Sequence, residues 1–336
     1  MKLTWEPVDL NLRHTFTISR SSMDVARNVI VRLEHDGIEG VGEAPPSKYY
    51  GQDRETVIAA LERMEDELGN DPFLIEDIVE GLSKKFSGDS AAVAAVDMAL
   101  HDWLGKKLDV PLWKILGLDP AATPVTSYTI GIDTTEKMLE KVREAPQYPI
   151  FKVKVGTDRD DEILSAIRSE TDRTIRVDAN AAWEPDEAVE RIKALADYDI
   201  EFVEQPVPPG DPELLRMVYE SVDIPIIADE SAVIPEDVPG LAGCVDGINI
   251  KFSKCGGIRR ALKMINAARS AGMKVMLGCM IESSVAITAA AQLSPLVDFA
   301  DLDGHLLIDN DIGSGVVVKE GKLVLPDGPG LGVTVN

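Results

Sequence analysis

From about residue 125 onward, short β-rich runs alternate with longer amphipathic stretches. The runs are TSYTIG, FKVKVG, TIRVDA, FVEQP, PIIADES, GINIKFS, KVMLGC and FADLDG. With Tyr128, Val153, Arg176, Val203, Ile227, Asn249, Met276 and Asp301 as markers, the intervals are 25, 23, 27, 24, 22, 27 and 25 residues, the length of one strand plus one helix. Between them, PDEAVERIKALADY and GGIRRALKMINAARSAG carry apolar residues at helical spacing, the second stopping at Gly272. Eight strand-then-helix units in succession predict a closed parallel (β/α) barrel. An open doubly wound sheet fits less well, because its Gly-rich phosphate fingerprint is absent.

The first ~115 residues follow another pattern. VIVRLEHDGIEGVGEA reads as a hairpin turning at Asp36-Gly37, and SAAVAAVDMALHDWLGKKL reads as a helix. After Gly313, VVVKEGKLVLPDGPG is again hairpin-like, with its turn near Glu320-Gly321. The expected fold class is therefore α/β, a modified TIM barrel over residues 119–313 with an α+β capping domain over 1–118. The segment 314–336 is expected to pack back on the cap.

Composition narrows the partners. In 336 residues, 58 acidic side chains face 34 basic ones, for a formal charge of −24. Such a surface repels phosphate backbones and anionic membranes, so neither nucleic acid nor membrane is an expected partner. The three cysteines, Cys244, Cys255 and Cys279, are too few and too irregularly spaced for a disulfide framework or a thiolate zinc site. The N-terminal MKLTWEPVDL has no apolar core and no run approaches a membrane span, so a soluble cytoplasmic protein is expected. The composition is compatible with a homo-oligomer but does not specify one.

Active sites of such barrels lie at the carboxyl ends of the strands. In FKVKVG, Lys152 and Lys154 are two apart and share a strand face, while Phe151, Val153 and Val155 take the helix-facing side. Two ammonium groups aimed into a barrel make sense only with anions nearby. The next three strands supply them, with Asp178 in RVDAN, Glu204 in VEQP and Asp229 in IADES. Three converging carboxylates repel one another unless a cation sits between them, and a hard, oxygen-ligating ion such as Mg²⁺ is the natural filler. Each acid taken alone could equally cap a helix or meet a local base. Strand six ends in Lys251; strands two and six of an eight-stranded barrel are diametrically opposed, so Lys154 and Lys251 should face each other across the mouth. Lys254, three residues further, reads as loop surface. Strand eight places Asp301 and Asp303 on one face, opposite the centre of the metal site. That pair suits a substrate cation about two extended residues, roughly 7 Å, from the substrate's own carboxylate.

Together these residues resemble the enolase superfamily, specifically its muconate-lactonizing subgroup: KxK on strand two, Asp, Glu and Asp on strands three to five, and Lys on strand six. The resemblance spans the chain, including GVGEAPP at 40–46 of the cap. It implies Mg²⁺ on Asp178, Glu204 and Asp229, an acid/base pair in Lys154 and Lys251, Lys152 near a substrate carboxylate, and Asn180 and Glu230 behind the ligands. The Asp301/Asp303 motif is similar to the signature of dipeptide epimerases, in which it binds the substrate's free ammonium. There the loop after the first strand closes over the substrate; here it is Thr17 to Asp24, and Arg20 could receive an acidic side chain. The expected reaction is 1,1-proton transfer at the C-terminal residue of a dipeptide, with burial and nearby cations lowering the pKa of the base. Lyase chemistry on the same site, as in o-succinylbenzoate synthases or muconate cycloisomerases, would leave the aspartate pair unexplained. A non-catalytic barrel would leave the whole constellation unexplained.

Overall fold

The computed structural model describes residues 1–335. It opens with an antiparallel three-stranded sheet, β1 (Lys2–Ile18), β2 (Ser21–His35) and β3 (Ile38–Ala44). β2 and β3 meet at the expected turn, where Asp36 and Gly37 both take positive φ, 52° and 72°, as a two-residue hairpin requires. Four helices follow, α1 (Arg54–Met64), α2 (Ile75–Lys85), α3 (Ser90–Leu108) and the short α4 (Leu112–Ile115). α3 is buried on almost every side because it lies between the sheet and the barrel. Its approach to β3 depends on two glycines: a Cβ on Gly40 or Gly42 would come within 2.0 Å of the Ala99 or Ala95 carbonyl oxygen.

Eight parallel strands then follow in order, β4 (Tyr128–Ile130), β5 (Ile150–Lys154), β6 (Thr174–Asp178), β7 (Ile200–Glu204), β8 (Ile226–Ala228), β9 (Gly247–Ile250), β10 (Lys274–Gly278) and β11 (Phe299–Asp301). Thr126 bridges Ala300 and the Ser127 amide donates to the Ala300 carbonyl, which closes the first strand onto the last. The helices between strands are α5 (Thr135–Glu144), α6 (Asp160–Glu170), α7 (Pro185–Leu195), α8 (Pro212–Tyr219), α9 (Val238–Leu241), α10 (Phe252–Cys255), α11 (Ile258–Ser270) and α12 (Ser284–Ala291). The repeat is less regular than eight equal units: the fifth strand's helix is a single turn, and β11 is followed only by a 3₁₀ turn at Gly304–Leu306. The bulk of the barrel core, with Val153, Val177, Val203 and Ile248, lies between strands and helices, while a second cluster of Phe202, Ile227 and Met276 fills the barrel interior. Val153, Val177, Val203 and Ile248 alternate with the inward-facing polar residues along their strands.

The last segment touches both parts. Its hairpin turns at Glu320 and Gly321 and bonds the entrance to the first barrel strand through Gly321 O and the Thr126 amide. Beyond it the segment lies against the cap, where Gly330 pairs with Val110 and Leu112 and the Leu331 amide donates to the buried Asp102.

Candidate active site

Strand ends position the expected metal ligands and the two expected acid/base lysines. Lys154, Asp178 and Glu204 stand side by side in register as the last residues of β5, β6 and β7, with Asp229 and Lys251 one step beyond β8 and β9. Lys152 is 1% exposed, and its Nζ lies 2.6 Å from Asp301, 2.7 Å from Glu204 and 3.1 Å from Asp178. Lys154 Nζ donates to Asp178 Oδ2 at 2.6 Å and Lys251 Nζ to Asp229 Oδ2 at 2.7 Å, so the two lysines flank the carboxylate arc at its two ends.

Lys254 overturns its reading as loop surface. It is 1% exposed, and its ammonium donates to the Asp229 carboxylate and to the carbonyls of Asp229, Asn249 and Ala232. The short helix α10 turns a residue three positions past Lys251 back inward, so Asp229 is held by two lysines. Asn249 was also missed, although it lies two residues before Lys251 on the same strand face; its Nδ2 donates to Glu204 Oε1 at 2.7 Å.

The electrostatics reflect this crowding. Burial works against ionisation of Asp178 and Asp229, but Lys154 and Lys152 for the one, and Lys251 and Lys254 for the other, hold both carboxyls below the usual range. Glu204 is pushed up to about 7 by burial and by Asp178, an effect that Lys152 only partly offsets. Lys251, expected to be a lowered base, moves the other way: burial lowers it, but the carboxylates around it, Asp229 first and then Glu204 and Glu230, together outweigh burial and raise it.

No three His, Cys, Asp or Glu side chains among the described residues are already gathered at metal-ligating spacing, because the carboxylate oxygens are turned onto lysines. The donor set nevertheless fits a hard divalent cation. Glu204 Oε2 lies near Lys152 but off the line that a hydrogen bond needs and has no other partner, and the buried oxygens Asn180 Oδ1 and Glu230 Oε2 are also without partners. Unpaired buried acceptors beside three carboxylates are costly without a cation.

At the end of strand eight, Asp301 accepts from Lys152 and from the Ser127 hydroxyl. Asp303 Oδ2 accepts the Thr129 amide at 2.6 Å, its Oδ1 lies 3.9 Å from the Cys279 thiol, and the Thr129 side chain also favours its ionised form. Burial and Asp301 push Asp303 up to about 7. Burial opposes Asp301 as well, but Lys152 and Lys154 keep it below the usual range.

The β1–β2 hairpin reaches over the barrel mouth. At its tip, Arg20 donates to the Asn180 carbonyl and to Glu230 Oε1, both at 2.6 Å, and its guanidinium lies 4.1 Å from the centre of the Tyr49 ring. Asn180 and Ala181 both have positive φ, 49° and 62°, so the loop that Arg20 meets has an unusual backbone. A cavity of about 390 Å³ opens elsewhere between cap and barrel, bounded by Tyr50, Lys84, Glu236 and Lys254, and does not include the Lys154 or Asp301 side chains.

Both the cap and the barrel are similar to known proteins. Residues 2–117 match the mandelate racemase / muconate lactonizing enzyme N-terminal domain, and residues 134–336 match the enolase C-terminal domain-like family. The chain belongs to the mandelate racemase / muconate lactonizing enzyme family of the enolase superfamily. It is 45% identical to the L-Ala-D/L-Glu epimerase of Bacteroides thetaiotaomicron, over 99% of this chain and 88% of that one. It is 40% identical to an L-Ala-D/L-amino acid epimerase of Maribacter, over the full length of both. The crystal structure of a dipeptide epimerase from Enterococcus faecalis with Mg and L-Leu-L-Tyr superposes with a TM-score of 0.94 at 37% identity, covering 99% and 98% of the two chains.

Proposed function

We propose that this chain is a Mg²⁺-dependent dipeptide epimerase that inverts the α-carbon of the C-terminal residue by 1,1-proton transfer. The observation that carries the reading is Asp303. It is a buried carboxylate beside another carboxylate, its polar neighbours are Thr129 and the Cys279 thiol, and no basic side chain among the described residues pairs with it. Such a group asks for a cation from outside the protein, and a dipeptide's free ammonium, with Asp301 alongside, supplies one. The names of the relatives support the same class.

Asp178, Glu204 and Asp229 would hold the metal. When bound, it supplies positive charge beside the substrate carboxylate, which makes the α-proton acidic enough to remove. Lys152, a buried ammonium among carboxylates, stays charged and stabilises the negative charge that builds up as the enediolate forms. Lys154 and Lys251, at the two ends of the carboxylate arc, remove the proton from one face and return it on the other. Arg20 at the hairpin tip would meet the side chain of the inverted residue, with acidic side chains competing with Glu230 for its guanidinium. The cytoplasm is the fitting compartment, since Cys244, Cys255 and Cys279 are all free thiols.

The test is a library of L,L-dipeptides incubated in D₂O with and without Mg²⁺ and read by mass spectrometry. One-unit mass gains confined to the Mg²⁺ samples are expected. Lys154→Ala and Lys251→Ala should each abolish exchange from one configuration of the C-terminal residue and lower epimerisation by about 10²–10⁴-fold. Retention of exchange from both configurations in both variants would refute the two-base scheme.

A further inference from the structure

Glu43, in the cap motif GVGEAPP, lies outside the reaction just described, yet it is one of the most densely bonded carboxylates in the molecule. The glycine-lined face of β3, Gly40 and Gly42, packs on α3, so strand alternation turns Val41 and Glu43 to the opposite side, toward the barrel. There Glu43 is fully buried. Its Oε1 accepts from Asn28 Nδ2 at 2.7 Å and the Ser283 amide at 3.0 Å, and its Oε2 accepts from the Ser283 hydroxyl at 2.6 Å and the Ala286 amide at 3.1 Å. A carboxylate from the cap thus caps the N-terminus of barrel helix α12, across 240 residues of sequence. The second amide hydrogen of Asn28 goes to the Ile281 carbonyl at 3.0 Å. Asn28 sits on β2, the strand returning from the hairpin tip that carries Arg20.

The segment held in this way is the loop after β10, Cys279 to Ser283, and its other side lies against strand eight. A Cβ placed on Gly304 would come within 2.6 Å of the Met280 carbonyl oxygen and 2.9 Å of the Glu282 amide nitrogen, so the loop backbone rests directly on the residue after Asp303. Cys279 Sγ is the atom facing Asp303 Oδ1. Gly278 pairs with Asp301 in the strand register. The loop is therefore the wall of the aspartate pair, and Glu43 is what fixes it from behind.

We propose that Glu43 is a positioning residue for the ammonium-binding pair: through the Cys279–Ser283 loop it holds Asp301 and Asp303 in the geometry that grips the substrate's free amine, without entering the proton transfer. This rests on the dipeptide reading of the site. Its consequence is specific, because a defect here loosens recognition of the ammonium group and leaves Lys154, Lys251 and the metal ligands, on β5 to β9, in place.

The experiment compares L-Ala-L-Glu with N-acetyl-L-Ala-L-Glu, which has no ammonium group, as substrates for α-deuterium exchange. Wild-type protein is set beside Glu43→Gln and Ser283→Ala, with Mg²⁺ affinity and thermal melts measured in parallel. For both variants the KM of the free dipeptide should rise roughly tenfold, the weight of one charged hydrogen bond, with kcat within about twofold. The acetylated substrate should exchange at its wild-type rate, so the preference for the free amine falls by the same factor. Equal slowing of both substrates, or a fall in kcat without a change in that preference, would make Glu43 a purely structural cap and overturn the proposal. Should Glu43→Gln fail to fold, Ser283→Ala, which removes one hydroxyl and leaves the carboxylate, decides alone. A wild-type protein without preference for the free amine would overturn the dipeptide reading and this proposal with it, whereas a preference left intact in both variants would overturn this proposal only.

Discussion

Lys152→Met should be among the most damaging single changes at this site for stability as well as activity. The substitution keeps the length and most of the volume of the stem but removes the ammonium that lies within 3.1 Å of Asp178, 2.7 Å of Glu204 and 2.6 Å of Asp301. Removing one member of a buried ion pair typically costs about 3–5 kcal/mol, because the remaining charge is stranded. Here three carboxylates share the loss, which places the cost toward the upper end. Glu204, already pushed up to about 7, can relieve part of it by staying protonated, so the damage should be smaller at pH 6 than at pH 8. At roughly 2–4 °C per kcal/mol for domains of 150–250 residues, and less for a longer chain, the expected drop in Tm is about 5–12 °C. Thermal melts in EDTA at both pH values measure it directly. Added Mg²⁺ should restore part of the loss, since a ligand at a hundred times its Kd contributes about 2.7 kcal/mol. A drop of less than ~2 °C in EDTA, equal at both pH values, would mean that these carboxylates do not depend on Lys152, and the charge argument would fail.

Two further outcomes follow from side chains at the edge of the site. Glu282 is pushed up to about 8 by burial and by Glu43, so between its ordinary value of 4.5 and 8 the folded protein keeps a proton that the unfolded chain releases. That contribution is complete at low pH and is lost as pH rises through about 8, so the wild-type Tm should fall from pH 5 to pH 9, and Glu282→Gln should flatten the fall; an unchanged slope would rule Glu282 out as its source. Arg20→Met should lower kcat/KM for dipeptides ending in Glu at least about tenfold more than for those ending in a neutral residue, one charged hydrogen bond's worth, whereas equal losses would limit the guanidinium to partnering Glu230.

Much of the site could be read before any fold was known because strand alternation is a local rule. Lys152 with Lys154 and Asp301 with Asp303 share faces by their spacing of two, and the regular strand interval assigns each acid to its place around the barrel. The same rule applied to GINIK would have found Asn249. Lys254 escaped it because a turn of helix, not a strand, carries it inward. Arg20 was legible as a residue on a closing loop, but not the partners it reaches.

The sequence by itself determined the barrel, its strand order, and which carboxylates and lysines meet at its mouth, since period and alternation act over a few residues at a time and leave a trace in any window that contains them. Only the tertiary structure decided which oxygen meets which nitrogen: that Asp229 is held by two lysines, that one oxygen of Asp303 is left without a cation, and that a cap carboxylate seals the start of a barrel helix 240 residues away. Those pairings depend on how segments far apart in the chain come into contact. A contact of that kind has no period, so nothing in the order of residues announces it.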